Sequence, residues 1–415
     1  MKTYTKDKQF IKFCAYGFLK NLRFYDAFLL LFFLENGLSY SEIGFLYATR
    51  EMTIIIMEIP SGIIADTYGR KYALIAGFLA YIVSFVTFYF STDFYLLMVA
   101  IFLFGIGDAF RSGTHKGMIM DYLRLNGWEK HKIDYYGNTR SWSQKGSAVS
   151  ALFAGFLVLY SGSYRFIYLF SIVPYLINFI NIATYPNEIN HSIKKKKKQR
   201  FSSFIEVFKN FVKVIRQPKV FPIMNSAALH SAFLKSIKDY IQPIMVSIAV
   251  LIPIMNDLDI KRKSGLIVGI TYFFIFLMTS YASKNAQKVK EIKVNNIQKV
   301  TLITGLTTGI ICGVLVWFEL WIISLLVFIV IYLIENARKP IMTGILSDNV
   351  PNEILTSVIS AQSFYGTFIT SAIAILLGFF ADYFGIGIAL SAVSLILILF
   401  TIGIGKIKKD MLTID

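Results

Sequence analysis

The residues of this chain best suited to chemistry are ionisable side chains set inside long apolar runs. Between positions 94 and 122, Asp108, Arg111, Ser112 and His115 recur at helical spacing, which predicts that they share one face, with Lys116 just off it. Arg23 and Asp26 stand three apart and are able to pair. Arg50, Glu51 and Glu58 follow, the two glutamates on one face. Arg140, Gln144 and Lys145 open another run. Lys235, Lys238, Asp239 and Gln242 line a face just before Pro243, which should bend its helix. Glu335, Asn336, Arg338, Lys339, Gln362 and Tyr365 complete the set. An ionisable group in hydrocarbon costs roughly 3 kcal/mol, so such residues point to function by default.

Cations outnumber anions in that set. One reading is an anionic solute, its carboxylate or phosphate held by Arg111, Arg338 or Lys238, because cationic side chains and above all guanidinium forks bind oxyanions. The full binding set would be Arg23, Asp26, Asp108, Arg111, His115, Lys238, Asp239, Arg338 and Gln362. The alternative is that the charges pair and stiffen the protein, as Arg23 with Asp26, Lys235 with Asp239, and Asp108 with Arg111. Asp26, Glu58, Asp108 and His115 are candidates to carry a coupling proton, the carboxylates because hydrocarbon disfavours their charge and the imidazole because it titrates near neutrality. Phe24, Tyr25, Tyr240, Phe364 and Tyr365 either line a cavity or simply pack.

The elements that must position these residues are membrane-spanning helices. Of 415 residues, 55% are hydrophobic and 16% charged, where a soluble domain carries about 25% charged residues. Runs of about 20 apolar residues recur from end to end. They place spans at roughly 13–35, 41–65, 72–91, 94–122, 137–161, 164–185, 219–250, 264–283, 299–317, 320–346, 354–381 and 385–405. Only helices satisfy the backbone of such segments in lipid. Basic links (Arg70-Lys71, Arg124 to Lys132, Lys194 to Arg200, Lys284 to Lys299, Lys406 to Lys409) alternate with links almost free of Lys and Arg. The positive-inside rule then puts both termini in the cytoplasm of a multi-pass cell-membrane protein, with Lys261-Arg262-Lys263 as the one discordant link.

The net charge of +17 sits in these short links, so it indicates anionic lipid headgroups as partners and not nucleic acid. Cys14 and Cys312 have neither metal nor redox spacing, and the four histidines have no zinc-ligand spacing. No phosphate-cradling glycine loop, zinc-protease motif or nucleophile elbow is present. The expectation is therefore no enzyme, no catalytic residues, no metal and no cofactor.

The lysine run Lys194 to Lys198 divides the chain into residues 1–190, a basic cytoplasmic linker over 191–217, and residues 218–415. Residues 201–216 alternate apolar and basic side chains and suit the membrane surface. The halves echo each other. Arg111, Gly117 and Asp121 in the fourth run of the first half match Arg338, Gly344 and Asp348 in the fourth run of the second. Duplicated bundles with a solute held between them are a transporter architecture.

The link after the second run reads Gly62-Ile-Ile-Ala-Asp66-Thr-Tyr-Gly69-Arg70-Lys71. It resembles the signature loop of the major facilitator superfamily, and it lies where that family carries it. The resemblance covers essentially the whole chain. It implies an all-α fold of about twelve transmembrane helices in two pseudo-symmetric six-helix bundles. It also implies a gate in which Asp66 meets the start of the eleventh helix and Arg70 pairs with Asp121. Gly378-Phe-Phe-Ala-Asp382-Tyr-Phe-Gly385 is a shorter echo, read as a helix-ending turn. Ile101 stands where exporters of the family often carry Arg, and Gly146 to Phe156 lacks the proline of drug antiporters.

These observations predict a monomeric secondary transporter moving a small solute by alternating access, with a lean to efflux from general likeness to the exporter branch. The alternatives are a mover of lipid or lipid-linked solutes on the same fold, and a membrane receptor or sensor that no longer transports.

Overall fold

The computed structural model describes residues 4–190, 220–253, 257–286, 296–350 and 352–411, and among them there is helix and no strand. The expected linker 191–217, with its lysine run and amphipathic stretch, lies outside the described residues. The α-helices are α1 (Lys8–Lys20), α2 (Leu29–Glu35), α3 (Tyr40–Tyr68), α4 (Arg70–Phe90), α5 (Phe94–Arg111), α6 (Thr114–Leu125), α7 (Lys132–Ser161) and α8 (Phe166–Ala183). They continue with α9 (Phe221–Ile237), α10 (Ile241–Leu251), α11 (Ile260–Lys284), α12 (Ile297–Trp317), α13 (Trp321–Asn349) and α14 (Asn352–Met411).

Among the described residues, seven helical stretches are long and apolar enough to cross a membrane: Arg70–Phe90, Phe94–Leu125, Phe166–Ala183, Ile260–Lys284, Ile297–Trp317, Trp321–Asn349 and Val358–Gly403. The remaining expected spans are interrupted or carry charge. The run expected at 13–35 is α1, a 3₁₀ turn over Phe24–Ala27, and α2. The run at 219–250 breaks into α9 and α10 around a 3₁₀ turn at Lys238–Tyr240, just ahead of Pro243. The helix α3 carries Arg50, Glu51 and Glu58. The two spans expected at 354–381 and 385–405 are both in α14, separated by the non-helical Gly385.

The chain divides into two compact units, formed by the described residues of Met1–Asn36, Met52–Arg200 and Pro253–Phe276, and of Gly37–Glu51, Phe201–Ile252 and Leu277–Asp415. In the first unit α4 packs on α5 and α8, and α1 on α7 and α8. Its core is aromatic: Phe85 lies 4.9 Å from Tyr175 and 5.2 Å from Tyr25, ring centre to ring centre. In the second unit α14 packs on α9 and α12, and α13 on α9 and α12. Val83, Val99, Phe156, Val173 and Ile323 are exposed. Their hydrophobic side chains match a lipid surround rather than water.

Glycines set how closely helices approach. Gly265 and Gly269, four apart on α11, meet Gly155 of α7, where a Cβ on Gly269 would stand 2.8 Å from the Gly155 Cα. Small residues at this spacing let membrane helices approach backbone to backbone. The substitution Gly269→Val should therefore overpack the crossing at about 1–3 kcal/mol. A lower melting temperature in detergent, with Gly403→Val (open space around Gly403) little changed, is the expected result.

Candidate functional site

In the first unit the expected face of Asp108, Arg111, Ser112 and His115 does not persist as one helix. The helix α5 ends at Arg111, Gly113 adopts a left-handed φ of 71°, and α6 begins at Thr114. A glycine makes that break because it has no Cβ to clash at positive φ. Asp108 and Arg111 therefore belong to one helix and His115 and Asp121 to the next.

Asp108 and Arg111 remain together. The Arg111 guanidinium donates to Asp108 Oδ1 at 3.0 Å and, through Nε, to the Tyr81 hydroxyl at 3.0 Å. The Tyr81 hydroxyl in turn donates to Asp108 at 2.5 Å. Gly107 makes room for this arrangement, since a Cβ there would meet the Tyr81 ring at 2.8 Å. The Tyr175 ring packs edge-on against the Tyr81 ring at 5.2 Å, and its hydroxyl shares a 3.2 Å hydrogen bond with the Tyr25 hydroxyl. Arg23 caps the 3₁₀ turn that holds Asp26. His115 stacks on Tyr16 at 3.5 Å between ring centres and shares a 3.2 Å hydrogen bond with the Tyr185 hydroxyl. Tyr25 and Phe24 are buried in the aromatic core, which is the packing role.

The motif loop between α3 and α4 is tightly held within the same unit. Gly69 takes φ 104° and ψ 150°, outside the range comfortable for a side chain. Arg70 donates to the Asp121 carboxylate, and Arg124 approaches the other Asp121 oxygen at 3.7 Å. Gly117 leaves the path open, because a Cβ there would stand 2.6 Å from the Arg70 guanidinium. Lys71 is buried, its ammonium donating to the Tyr185 carbonyl at 2.8 Å and its backbone N–H to Asn190 at 2.9 Å. Gly62 and Asp66 lie on the last turns of α3, where Glu58 is exposed.

In the second unit the pairing expected between Lys235 and Asp239 is replaced by two others. The 3₁₀ turn breaks the helical spacing between them, so Lys235 meets Glu51 of α3 at 2.5 Å and Lys238 meets Asp239 at 3.0 Å. Arg338 is buried, and its terminal nitrogens donate to the carbonyls of Gln298 and Ser226 and to the hydroxyls of Thr301 and Ser226. This guanidinium joins α9, α12 and α13. Tyr240 stacks on Tyr40, and the Tyr365 hydroxyl donates to Asn225 at 2.7 Å.

A polar cavity of about 330 Å³ opens in this unit, within the range of small-molecule sites. Its wall includes Ser231 and Lys235 of α9, Lys339 of α13, and Gln362, Ser363 and Thr367 of α14. Of the nine binding residues expected from sequence, Gln362 is the one in this wall; Lys235 and Lys339 belong to the wider set of ionisable residues and not to those nine. Their signal was legible: Ser363, Gly366, Thr367 and Thr370 recur at helical spacing and all line the cavity. Also missed was an acid three residues before each repeated arginine, Asp108 before Arg111 and Glu335 before Arg338.

The echo segment has its own capping role. Both Asp382 oxygens accept backbone N–H bonds at 2.7 Å, from Tyr40 and Ser41 at the start of α3. Gly385 repeats the backbone of Gly69, with φ 83° and ψ 163°. The two Gly-x-x-x-Asp-x-x-Gly segments thus share spacing and terminal conformation.

The Arg70 and Asp121 contact is testable by charge exchange. Arg70→Asp or Asp121→Arg alone should lower the melting temperature, by less than the roughly 3–5 kcal/mol of a fully buried pair would give, because the Arg70 side chain is 27% exposed. The double exchange should recover a substantial part of that loss in the same thermal-unfolding measurement.

The chain matches the sequence model of the Major Facilitator Superfamily over residues 13–375. An uncharacterized MFS-type transporter of Bacillus subtilis (strain 168), YxaM, is 22% identical over 390 residues, 92% of each chain. A crystal structure of a mutant of the nucleoside transporter NupG is similar with a TM-score of 0.74 and 14% identity, over 97% of this chain and 99% of that one. A POT family transporter in complex with 5-aminolevulinic acid is similar with a TM-score of 0.68 and 12% identity, over 97% and 95%. Family match, helical fold and signature loop agree: this chain is a multi-pass membrane protein of the Major Facilitator Superfamily of transporters.

Proposed function

We propose that this chain is a secondary active transporter of a small polar solute bearing a carboxylate or phosphate, working by alternating access in the cell membrane. The observation that carries the reading is the cavity of the second unit. Lys235 and Lys339 supply positive charge, and Gln362, Ser231, Ser363 and Thr367 supply neutral hydrogen-bonding groups. Glu51 holds the Lys235 ammonium in place. Such a wall suits an oxyanion on a hydroxyl- or amide-rich body; an apolar drug would take these groups out of water and offer them no hydrogen bond. Twelve spans in two six-helix bundles, with both termini cytoplasmic, is the topology that this reading adopts from the alternating basic links.

A thermal-shift screen of the purified protein against small carboxylates, phosphate esters, organic cations and neutral amphiphiles tests the solute class. Ligands that bind only the folded state raise its melting temperature. Carboxylates or phosphate esters should give the shift, and Lys339→Gln and Gln362→Ala should each reduce it. A shift confined to cations or amphiphiles, unchanged in both variants, would refute the anionic reading.

Gating in this proposal uses both glycine-aspartate segments. Arg70 with Asp121 latches the cytoplasmic side, and Asp382 on the first turn of α3 latches the opposite side. A carboxylate on a helix N-terminus is favoured by the helix dipole and the free N–H groups. Losing such a cap costs about 0.5–2 kcal/mol, too little to unfold the protein. Both native cysteines are buried, so a single cysteine at Ser39 can be labelled selectively. Asp382→Ala should speed maleimide labelling at that position, and an unchanged labelling rate would remove Asp382 from the gate.

A further inference from the structure

The second unit holds a buried titratable pair that the solute cavity does not use. His230 is fully buried on α9, and its Nδ1 lies 2.7 Å from Oε2 of Glu335 on α13, which is 7% exposed. The other ring nitrogen, Nε2, has no hydrogen-bond partner among the described residues. It sits against Gly305 of α12, where any Cβ would strike the imidazole ring. A pair kept only for packing would be cheaper as two apolar side chains. Here the fold makes room for a ring that can accept a proton.

The pair adjoins the cavity through its own helices. Ser231 follows His230 directly, and Lys339 lies one turn beyond Glu335; both line the cavity. The charged groups around the pair are few. Arg338 on α13 is bound to the Gln298 and Ser226 carbonyls and to hydroxyls. Lys235 on α9 is bound to Glu51 of α3, and Lys339 stands on α13. The helix α12 contributes the neutral Gln298 and Thr301, and α14 the neutral Gln362 and Tyr365.

We propose that His230 and Glu335 together form a proton-binding site that sets the charge beside the solute cavity, a role that rests on the transporter reading above. In the less protonated state a neutral imidazole donates Nδ1–H to the Glu335 carboxylate, and Glu335 with Arg338 sums to zero. One proton taken from water adds a single positive charge to the pair while the contact between them persists. The proton belongs to the pair rather than to either residue. The added charge stands next to Lys235 and Lys339, so proton and anionic solute stabilise each other's binding, reciprocally. Such coupling moves the two in the same direction. It runs against the proton-exchange efflux that likeness to the exporter branch implies.

The test is a pH titration of the full-length protein in lipid nanodiscs, followed by infrared difference spectroscopy of carboxyl and imidazole bands over about pH 5 to 8. The wild-type protein should show, beside the titration of its other carboxylates and histidines, a protonation step that His230→Gln and Glu335→Gln both abolish. Glu335→Asp, which keeps the carboxylate, should retain the step at a displaced midpoint. A melting transition for each variant establishes that it is folded. Glutamine variants whose difference spectra both equal that of the wild-type protein over this range would overturn the proposal. Neither outcome depends on solute movement, so failure here leaves the transporter reading to its own thermal-shift test. If the step is present but phosphate-ester or carboxylate shifts do not grow as pH falls, the charge-setting role is refuted while the proton site stands.

Discussion

Arg111 carries a full positive charge into the interior of a helical unit made for lipid, and the residues around it are arranged to keep that charge paired. The carboxylate of Asp108 and the hydroxyl of Tyr81 each accept a hydrogen bond from it, and the Tyr81 hydroxyl closes the triangle by donating to Asp108. The triangle requires that α4 and α5 lie close, which Gly107 permits by leaving room for the Tyr81 ring. Beside it, Tyr175 packs on the Tyr81 ring and bonds the Tyr25 hydroxyl of the broken first segment. Where water is scarce, a charge left without such partners would cost several kcal/mol, so the aromatic core of this unit is also an electrostatic scaffold.

The second unit answers the same constraint by other means. Arg338 stands at the repeat position of Arg111 but is bound by main-chain carbonyls and hydroxyls, while the acid three residues before it turns to His230. The same acid and arginine spacing thus serves two chemistries. In the first unit acid and base neutralise each other. In the second the base ties helices together and the acid is left to share a proton with an imidazole. The lysines of that unit are divided too: Lys238 meets Asp239, and Lys235 meets Glu51 at the edge of the cavity.

Backbone breaks are the third theme, and they follow from glycine. Gly69, Gly113 and Gly385 each take positive φ between helical segments. Each break turns the chain without placing a strained side chain, and each lies beside a charged contact: Gly69 precedes Arg70, Gly113 follows Arg111, and Gly385 follows Asp382. The breaks also explain why several apolar runs form pieces rather than one uninterrupted helix. The 3₁₀ turns at Phe24–Ala27 and Lys238–Tyr240 carry Asp26 and Asp239, so charge enters these apolar runs where the regular ladder has already been interrupted.

Composition and apolar periodicity alone determined that this chain is helical and built for a membrane, because only lipid accommodates so many consecutive apolar residues. The Gly62 to Lys71 motif likewise marked the family, and the Arg, Gly and Asp spacing recurs in the two halves of the sequence. Both are local patterns carried by adjacent residues, legible without coordinates. Which charge meets which was decided by tertiary structure. Helical spacing favoured Lys235 with Asp239, but a 3₁₀ turn separates them and Glu51, far away in the chain, arrives on α3 instead. Spacing also put Arg338 among the solute ligands, where packing gives its donors to carbonyls. The cavity wall, with Lys339 and the hydroxyls of α14, exists only because α9, α13 and α14 converge. Periodicity reports one helix at a time, and a site shared by three helices depends on how they pack.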